Sequence, residues 1–561
     1  MKDTHMFKQI TRYKIIYSLI LAIGIVLMTK IHVVNNDMSL GIDSNYFKDF
    51  KATDLLLFIG VFIAAVLLCV LLDFLLTKLS SFNIVGITAI TDAKSSNESS
   101  SQSLEQTTGK TSKRKVLIVW GTLILLAFTA LYLSYFPGGV MSDTQGSISY
   151  YYDGVKTNRF PFLYSSFIGL VISISEKLGH GLRLSIVILA IIQMLLAMAL
   201  LLYFCKWMLD RRVRLLVVNI IMAIMTFVPM FSTYVISIWK DTPFVMAFLF
   251  WYLAVIDLAG EIRNDGITKQ TVIRFIIGIF LVAFTRNNGI YLLLIFFVAF
   301  LLINIKEKYI GKKRLISAFA VSLAIIAIIQ GPVYDRVLDS GAGMMEHLGI
   351  PLQQVCAVVV YDGDMTDSQY EDIGYYIPHD SIREMFAPLD VDYIKWYSEI
   401  NYDYFHENEI DFLKLWIKLG LCNPGIYLRE YALQTCGFWD IAISEGASAC
   451  YYTSNYMYTE ELEQKDILDE QFGFSLRNLI DRLEWCNGAL LFWLFLGIGF
   501  RLMEKRGWRG FILVAPQIAL WGTLMIATPI AISFRYISPL LFTLPAGVLT
   551  MFMSNNAEKG A

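Results

Sequence analysis

Long apolar segments dominate this chain and restrict it to a membrane fold. Blocks of roughly 18 to 24 predominantly apolar residues recur along the sequence, separated by charged connectors, and a helix of that length crosses a hydrocarbon core about 30 Å thick. Charged residues make up 17% of the chain, against about 25% in soluble proteins. The sequence therefore predicts an all-α polytopic membrane protein.

Twelve segments have the composition of membrane spans. These segments fall in three regions of the chain: a two-helix N-terminal extension (residues 1–80), a core (116–334) and a group of C-terminal membrane helices (485–561). The stretch 81–115 is rich in Ser, Asn and Gln and lacks apolar periodicity, which predicts a disordered cytoplasmic linker. The predicted spans are 13–29, 54–78, 116–136, 183–205, 213–236, 242–260, 270–285, 289–305, 315–334, 486–504, 510–530 and 536–553.

The distribution of Lys and Arg predicts which connectors are cytoplasmic, because these residues concentrate on the cytoplasmic side of membrane proteins. If the N-terminus is cytoplasmic, four basic clusters fall in cytoplasmic connectors, at 110–115, 206–214, 306–314 and 501–509. This agreement requires that Phe160 to Leu178 form a helix lying at the outer interface and not a span. The sequence thus predicts a multi-pass plasma-membrane protein with both termini cytoplasmic.

One large segment between the spans has a soluble composition. In residues 335–484 acidic side chains exceed basic ones by roughly threefold. The patterns FLKLWIKLGL and PGIYLREYALQ within it are typical of helices. We therefore expect a mostly helical, acidic extracytoplasmic domain.

With this orientation, the outer ends of the spans carry an unusual set of charges: Asp143, Lys240, Asp241, Arg286 and Arg535. Each has an ordinary structural interpretation, such as the capping-box spacing around Asp143 or interface anchoring for Arg535. A cation at the depth expected for Arg286, however, costs about 2.5 to 3.5 kcal/mol unless it is paired or faces water. Their common location therefore favours a functional site.

These residue types suit a lipid phosphate at the membrane surface. Guanidinium groups bind phosphate through two hydrogen bonds, and a carboxylate beside that phosphate takes a proton or holds a divalent ion. We predict Asp143 and Asp241 as catalytic residues. The predicted donor-phosphate ligands are Lys240, Arg286, Arg535, Tyr536 and Arg159, and the predicted substrate-binding residues are Asn158, Asn287 and Asn288.

In the order of its parts, the chain resembles the C-type superfamily of integral membrane glycosyltransferases, which includes protein O-mannosyltransferases and the aminoarabinose transferase of lipid A. A span is followed by an outer loop that opens with Asp143, and then by a juxtamembrane helix introduced by Asn158-Arg-Phe-Pro161. A Gly-Leu-Arg-Leu sequence, Gly181 to Leu184, leads into the next span. The resemblance covers residues 116–334 and 485–553.

The resemblance implies a sugar donor carried on polyprenyl phosphate, an inverting transfer, and an envelope glycan, lipid or protein as the acceptor. Asp143 would activate the acceptor, and Asp241 would be its partner or a ligand of a divalent cation, Mg²⁺ or Mn²⁺. The metal stays an open alternative, because Thr144 follows Asp143 where many relatives have a second acidic residue. Lys240, Arg286 and Arg535 would hold the donor phosphate as it leaves.

Two other functions are compatible with these residues. A transporter or flippase of a lipid-linked saccharide also places Arg and Asp along its substrate pathway, although no internal repeat is evident. A polymerase or scaffold for envelope assembly would tolerate loss of Asp143. Nucleotide-sugar chemistry is disfavoured, because the sequence contains no Gly-rich phosphate loop. A zinc site is also disfavoured, because the seven cysteines lack the spacing of zinc ligands.

Overall fold

Helices make up most of the described chain, and its one sheet has two strands of two residues each. The predicted all-α class is thus confirmed. The computed structural model describes residues 10–31, 47–80, 82, 84–85, 101–263, 266–305, 308–339, 348–443, 462–480, 487–528, 530–531 and 533–553.

The first part of the described chain contains the following elements: α1 (Arg12–Met28), α2 (Ala52–Ser80), α3 (Ser101–Ser134), β1 (Gly139–Val140), α4 (Ser142–Tyr152), α5 (Phe162–Lys177), α6 (Leu182–Asp210), α7 (Leu215–Phe227), α8 (Pro229–Ile236), β2 (Ser237–Ile238), α9 (Asp241–Arg263), α10 (Lys269–Thr285), α11 (Gly289–Asn304), α12 (Lys312–Ile328) and α13 (Tyr334–Val337). A π-helical turn, Ile329–Val333, joins α12 to α13. Pro332 explains this local change of helix type, because proline cannot donate to the α-helical ladder.

The second part begins with the helices of the domain predicted at 335–484: α14 (Gly349–Val360), α15 (Asp367–Tyr376), α16 (His379–Met385), α17 (Asp392–Tyr397), α18 (Tyr402–Glu407), α19 (Glu409–Cys422), α20 (Pro424–Thr435), α21 (Ile467–Phe472) and α22 (Arg477–Ile480). It ends with α23 (Gly488–Arg506), α24 (Ala515–Ile526) and α25 (Ser538–Thr550). The two patterns predicted to be helical form α19 and α20.

Five described helices are long and apolar enough to cross a membrane: α2, residues Lys113–Ser134 of α3, α6, α9 and the continuous stretch Lys312–Val337. Two further pairs, α7 with α8 and Gly488–Leu513 with α24, bend by 53° and 61° and raise the number to seven if each pair is one span. The first bend lies at Pro229, where Val228 is extended, as expected for a residue before proline. These helices identify a membrane protein.

The helix that leads into the core overlaps the predicted linker. Helix α3 begins at Ser101 and therefore includes residues 101–115. Extending an existing helix costs far less free energy than nucleating one, which explains why a weakly helical sequence continues the span that follows it. Residues 86–100 of the predicted linker lie outside the described residues.

Helix α5 begins and ends at the same end of the helical bundle. Before it, the Phe160 ring contacts Lys240 Nζ, 4.9 Å from the ring centroid. After it, Arg183 at the start of α6 packs on the Phe136 ring that follows α3. A helix with both ends on one side does not cross the bundle.

The segment 348–443 has its own apolar core, which includes Leu352, Val358, Ile382 and Leu419. It is also tied to the connection between α24 and α25. Ala531 N–H donates to the carbonyl of Leu389 at 2.7 Å. We call residues 348–443 the helical domain below.

Candidate functional site

A short parallel strand pair brings the two halves of the site together. Gly139 pairs with Ser237 and Val140 with Ile238. The Thr144 hydroxyl adds a hydrogen bond to the carbonyl of Ile238 at 2.6 Å. Because β1 leads into α4 and β2 leads into α9, the residues that follow both strands lie side by side.

The turn after β2 is held by side chains that bind the carbonyls at the end of α8. Gln193 Nε2 donates to the carbonyls of Tyr234, Val235 and Ser237, at 3.3, 2.8 and 2.8 Å. Thr242 Oγ1 donates to Tyr234 and Ser237 at 3.0 and 2.9 Å. The last carbonyls of a helix have no helical partners, so these bonds both satisfy them and fix the following turn.

Asp143 lies among three hydrogen-bond donors, all of which contact its Oδ2 atom. Trp239 Nε1 donates at 2.9 Å, Lys240 Nζ lies at 3.0 Å and Arg535 Nη1 at 3.3 Å. Burial alone would raise the pKa of Asp143, but the charges of Lys240 and Arg535 outweigh it and hold that pKa well below its usual range. The carboxylate is therefore ionised at neutral pH.

The capping interpretation of Asp143 is not what the structure shows. The N-cap of α4 is Met141, which makes no side-chain cap hydrogen bond. Ser142 and Gln145 therefore do not form the reciprocal capping box that their spacing suggested. The contacts of Asp143 with three other side chains explain its position better.

Asp241 and Arg286 form a second pair, deeper in the protein. Arg286 Nη1 lies 3.4 Å from Asp241 Oδ1, and the two side chains are 9% and 1% exposed. The Arg286 guanidinium also packs against the rings of Phe244 and Tyr536, at 5.2 and 5.1 Å. Neither oxygen of Asp241 has a hydrogen-bond partner within the described part of the chain. Asp241, the more buried partner, thus balances the charge of Arg286.

Arg535 reaches the site from the connection between α24 and α25. Its Nη2 donates to the Tyr536 hydroxyl at 2.7 Å, and its guanidinium lies 5.0 Å from the Trp239 ring centroid. The helical domain supports this connection, since Gln434 Nε2 donates to the carbonyl of Thr528 at 3.0 Å. The helical domain therefore helps to position Arg535.

The segment before α5 forms another wall. Asn158 Oδ1 accepts from the Phe162 N–H at 3.1 Å, so this side chain fixes the start of α5. Asn287 Nδ2 donates to the carbonyls of Asn158 and Arg159 at 2.6 and 3.3 Å. Arg159 donates to the Tyr150 hydroxyl at 3.3 Å. Asn158 and Asn287 thus hold the segment that carries Arg159.

These walls enclose an open cavity of about 170 Å³. Most of the predicted site residues line it, whereas Asp241 and Asn158 do not. The lining residues are Asp143, Arg159, Phe160, Pro161, Lys240, Arg286, Asn287, Asn288, Asp392, Trp396, Leu524, Ala527, Arg535 and Tyr536. The cavity therefore combines four cationic side chains with two carboxylates.

The residues present do not fit a resident divalent cation. No group of three or more His, Cys, Asp or Glu side chains in the described ranges could hold a metal ion. Asp143 is already paired with Lys240 and Arg535, and Asp241 with Arg286. The carboxylates thus neutralise protein cations, and we derive no step through Mg²⁺ or Mn²⁺.

Sequence reasoning did not identify Trp239, Asp392 or Trp396 as residues of this site. Trp239 binds Asp143 directly, and its place next to Lys240 was the available signal. Asp392 and Trp396 come from the helical domain, whose sequence carries no pattern that links it to the membrane residues. Only the folded chain brings them to the cavity.

Comparison with known proteins places the chain in a family without assigning an activity. No curated protein and no solved structure matches it. A profile of a family of unknown function matches residues 153–561, a region that contains Lys240, Asp241, Arg286 and Arg535 and begins after Asp143. The chain belongs to this family of unknown function, DUF6020.

Proposed function

We propose that this protein is a membrane glycosyltransferase that moves a sugar from a polyprenyl-phosphate donor to a cell-envelope glycan, lipid or protein on the outer face of the membrane. The observation that carries the proposal is the cavity that Lys240, Arg286, Arg535 and Arg159 line together with the ionised Asp143, which pairs with Lys240 and Arg535. Cations in this arrangement suit a phosphate group, and a carboxylate beside them suits proton transfer.

In this proposal twelve helices cross the plasma membrane and both termini are cytoplasmic, so that the cavity faces outward. Of the predicted spans, α10, α11 and α25 have only 17, 16 and 13 residues, so parts of their connections also lie within the bilayer. At the end opposite the cavity, Lys113 pairs with Asp210 at 3.0 Å, next to the basic cluster 206–214. This distribution of cations supports the assigned sidedness.

The lipid part of the donor has an apolar approach to the cavity. Leu524 and Ala527, near the end of α24, line it, and Ile526 between them is 68% exposed. In a bilayer such a surface faces lipid. A polyprenyl chain can therefore remain in the membrane while its phosphate reaches Arg286 and Arg535.

The transfer then follows from the charges of the site. An acceptor hydroxyl oxygen attacks the anomeric carbon of the donor, and the bond from that carbon to the phosphate oxygen breaks with its electron pair remaining on the phosphate. The acceptor proton passes to the Asp143 carboxylate. The leaving polyprenyl phosphate gains a negative charge, which Lys240, Arg286 and Arg535 stabilise.

The ion pairs of Asp143 also explain how a carboxylate with a low pKa serves as a base. Lys240 and Arg535 hold Asp143 ionised but weakly basic. A donor phosphate competes for the same two cations. Their partial transfer to the phosphate raises the pKa of Asp143, so the base becomes stronger when the donor is present.

The test uses the full chain in lipid nanodiscs with a radiolabelled polyprenyl-phosphate sugar, and envelopes of a host strain lacking the gene as the acceptor source. Asp143→Asn should reduce label transfer by at least about a thousandfold while leaving expression and membrane insertion unchanged. The matched control is Asp153→Asn, at the exposed end of the same helix α4, which should retain wild-type transfer.

Two results would contradict the proposal. One is wild-type transfer by Asp143→Asn, which would remove the proposed base. The other is a deletion strain that accumulates a complete, unflipped lipid-linked oligosaccharide in place of a sugar on polyprenyl phosphate, which would identify a transporter.

A further inference from the structure

Helix α17 of the helical domain forms one wall of the cavity. Asp392 and Trp396 both line it and lie four residues apart, so they share one face of the helix. The other side of α17 is fixed in the domain, because Ile394 and Lys395 are 0% and 1% exposed. The wall is therefore anchored in the helical domain.

This wall presents aromatic rings beside a polar cavity. Trp396 and Tyr397 are 41% and 69% exposed, and the Tyr393 and Tyr397 rings lie 5.8 Å apart. The Arg159 guanidinium is 4.0 Å from the centroid of the Trp396 ring and orients that ring at the cavity. A membrane-interface anchor would face lipid, whereas Trp396 shares its cavity with Asp143 and Lys240.

We infer that Asp392 and Trp396 form the acceptor subsite and that the acceptor is a saccharide. This inference rests on the proposed function and assigns the chemical class of its second substrate. A pyranose ring has an apolar face of C–H groups that packs on an aromatic ring, and hydroxyls at its edge that donate to a carboxylate. Trp396 and Asp392 supply both requirements on one face of a helix.

The position of this subsite agrees with the chemistry of the transfer. Lys240, Arg286 and Arg535 line the cavity from the connections between the bundle helices and suit the anionic donor, whereas α17 adds a carboxylate that disfavours a second phosphate. Asp143 lines the same cavity and accepts the proton of the attacking hydroxyl. The two substrates thus bind to different walls around one base.

The acceptor wall is also coupled to the donor wall through the backbone. Just before α17, Asp390 forms an antiparallel bridge with Ile530, in the connection that leads to Arg535. The Asp390 carboxylate accepts from the Asp392 N–H at 2.9 Å. A single short segment therefore sets the positions of both Asp392 and Arg535.

Hydroxyl-radical footprinting of the full chain in nanodiscs tests this without requiring transfer. The probes are the saccharide, peptide and lipid fractions of envelopes from the deletion strain, each added separately. The saccharide fraction should lower oxidation of Trp396 by about threefold or more at saturation. Oxidation of Tyr375, which is 59% exposed elsewhere on the helical domain, should not change. Protection by the peptide or lipid fraction, or by none, would overturn the inference.

Kinetics separate this inference from the proposed function. Trp396→Ala should raise the acceptor KM about tenfold, with the donor KM and kcat changed less than about twofold, and Trp396→Phe should restore most of the affinity. Tyr375→Ala is the matched control and should behave as wild type. An unchanged acceptor KM in Trp396→Ala would reject the subsite while the transferase function stands. Absence of transfer by the wild-type protein would instead reject the proposed function, and footprinting still reports on saccharide binding.

Discussion

The two ends of the helical bundle hold carboxylates with closely similar partners. At the cavity, Asp143 contacts Trp239, Lys240 and Arg535. At the opposite end, Asp257 accepts from Trp207 Nε1 at 2.9 Å and pairs with Arg211 and with Arg274, the latter at 2.8 Å. In both places an arginine also packs on the ring of that same tryptophan.

The difference lies in how the carboxylate oxygens are used. Asp257 engages both oxygens, one with Arg211 and Trp207 and the other with Arg274, and its side chain is 4% exposed. The three contacts of Asp143 all involve Oδ2, and its side chain is 14% exposed and lines the cavity. The same residue types therefore make a closed structural cluster at one end and an accessible site at the other.

This comparison shows that residue type and pairing alone do not identify a functional carboxylate. Asp241 and Asp257 lie on one helix, α9, separated by 16 residues or about 24 Å. Both are buried and paired with arginine, yet neither lines the cavity. Access to a cavity distinguishes Asp143 from both.

The largest expected effect is on stability at the closed end. Asp257→Asn leaves Arg211 and Arg274 without their counter-charge, and breaking a buried pair of this kind costs about 3 to 5 kcal/mol. We expect a marked drop in the melting temperature of the detergent-solubilised protein, larger than that of Asp143→Asn, whose cations face an open cavity. The control Asp210→Asn, 41% exposed at the same end, should cost less than about 1 kcal/mol. Equal losses in Asp143→Asn and Asp257→Asn would remove the distinction between the two ends.

A smaller effect is expected from Arg286, which pairs with Asp241 and lines the cavity. Arg286→Ala removes a phosphate ligand, and a charge-assisted hydrogen bond contributes about 1.5 to 3 kcal/mol, so the donor KM should rise about 10- to 100-fold. The control Arg383→Ala removes an exposed arginine paired with Asp362 in the helical domain and should leave the donor KM unchanged. A donor KM that Arg286→Ala does not alter would exclude Arg286 from the phosphate site.

The sequence was sufficient for the helices whose apolar length reports the bilayer directly, such as α2 and α6. It was insufficient to predict where a helix bends or how far it extends. The bend before Pro229 and the extension of α3 back to Ser101 depend on how a helix is interrupted or continued, and the apolar content of a segment does not encode either.

The same limit applies to the site. The membrane charges were predicted because ionisable residues at span ends are costly and therefore informative. The pairing of Asp143 with Arg535 joins residues 392 positions apart, and no local pattern specifies such a partner. The contribution of Trp396 was also beyond reach, because an aromatic residue in a soluble-like segment is usually part of an ordinary core or surface.

Among the described residues, Glu430 is a buried carboxyl group that forms no ion pair, so it shows how burial acts on a carboxyl group that lacks a paired cation. Glu430 in α20 is 0% exposed, and burial raises its pKa to about 8 against smaller lowering effects of Gln353 and the charge of Arg429. Between about pH 4.5 and pH 8 the folded protein holds a proton on Glu430 that the unfolded chain has released. The free energy of unfolding therefore falls as the pH rises through this window and levels off above it.

Glu430→Gln mimics the protonated side chain and should remove that dependence. We expect melting temperatures close to wild type at pH 5 and a gain of about 1 to 2 kcal/mol at pH 8.5, where wild type must bury a charge. The exposed Glu407→Gln serves as the control and should show no gain at either pH. If Glu430→Gln were instead less stable than wild type at pH 8.5, the buried Glu430 carboxylate would have a compensating cation, as Asp143 and Asp257 do. Ion pairing would then not distinguish Asp143 and Asp257 from Glu430.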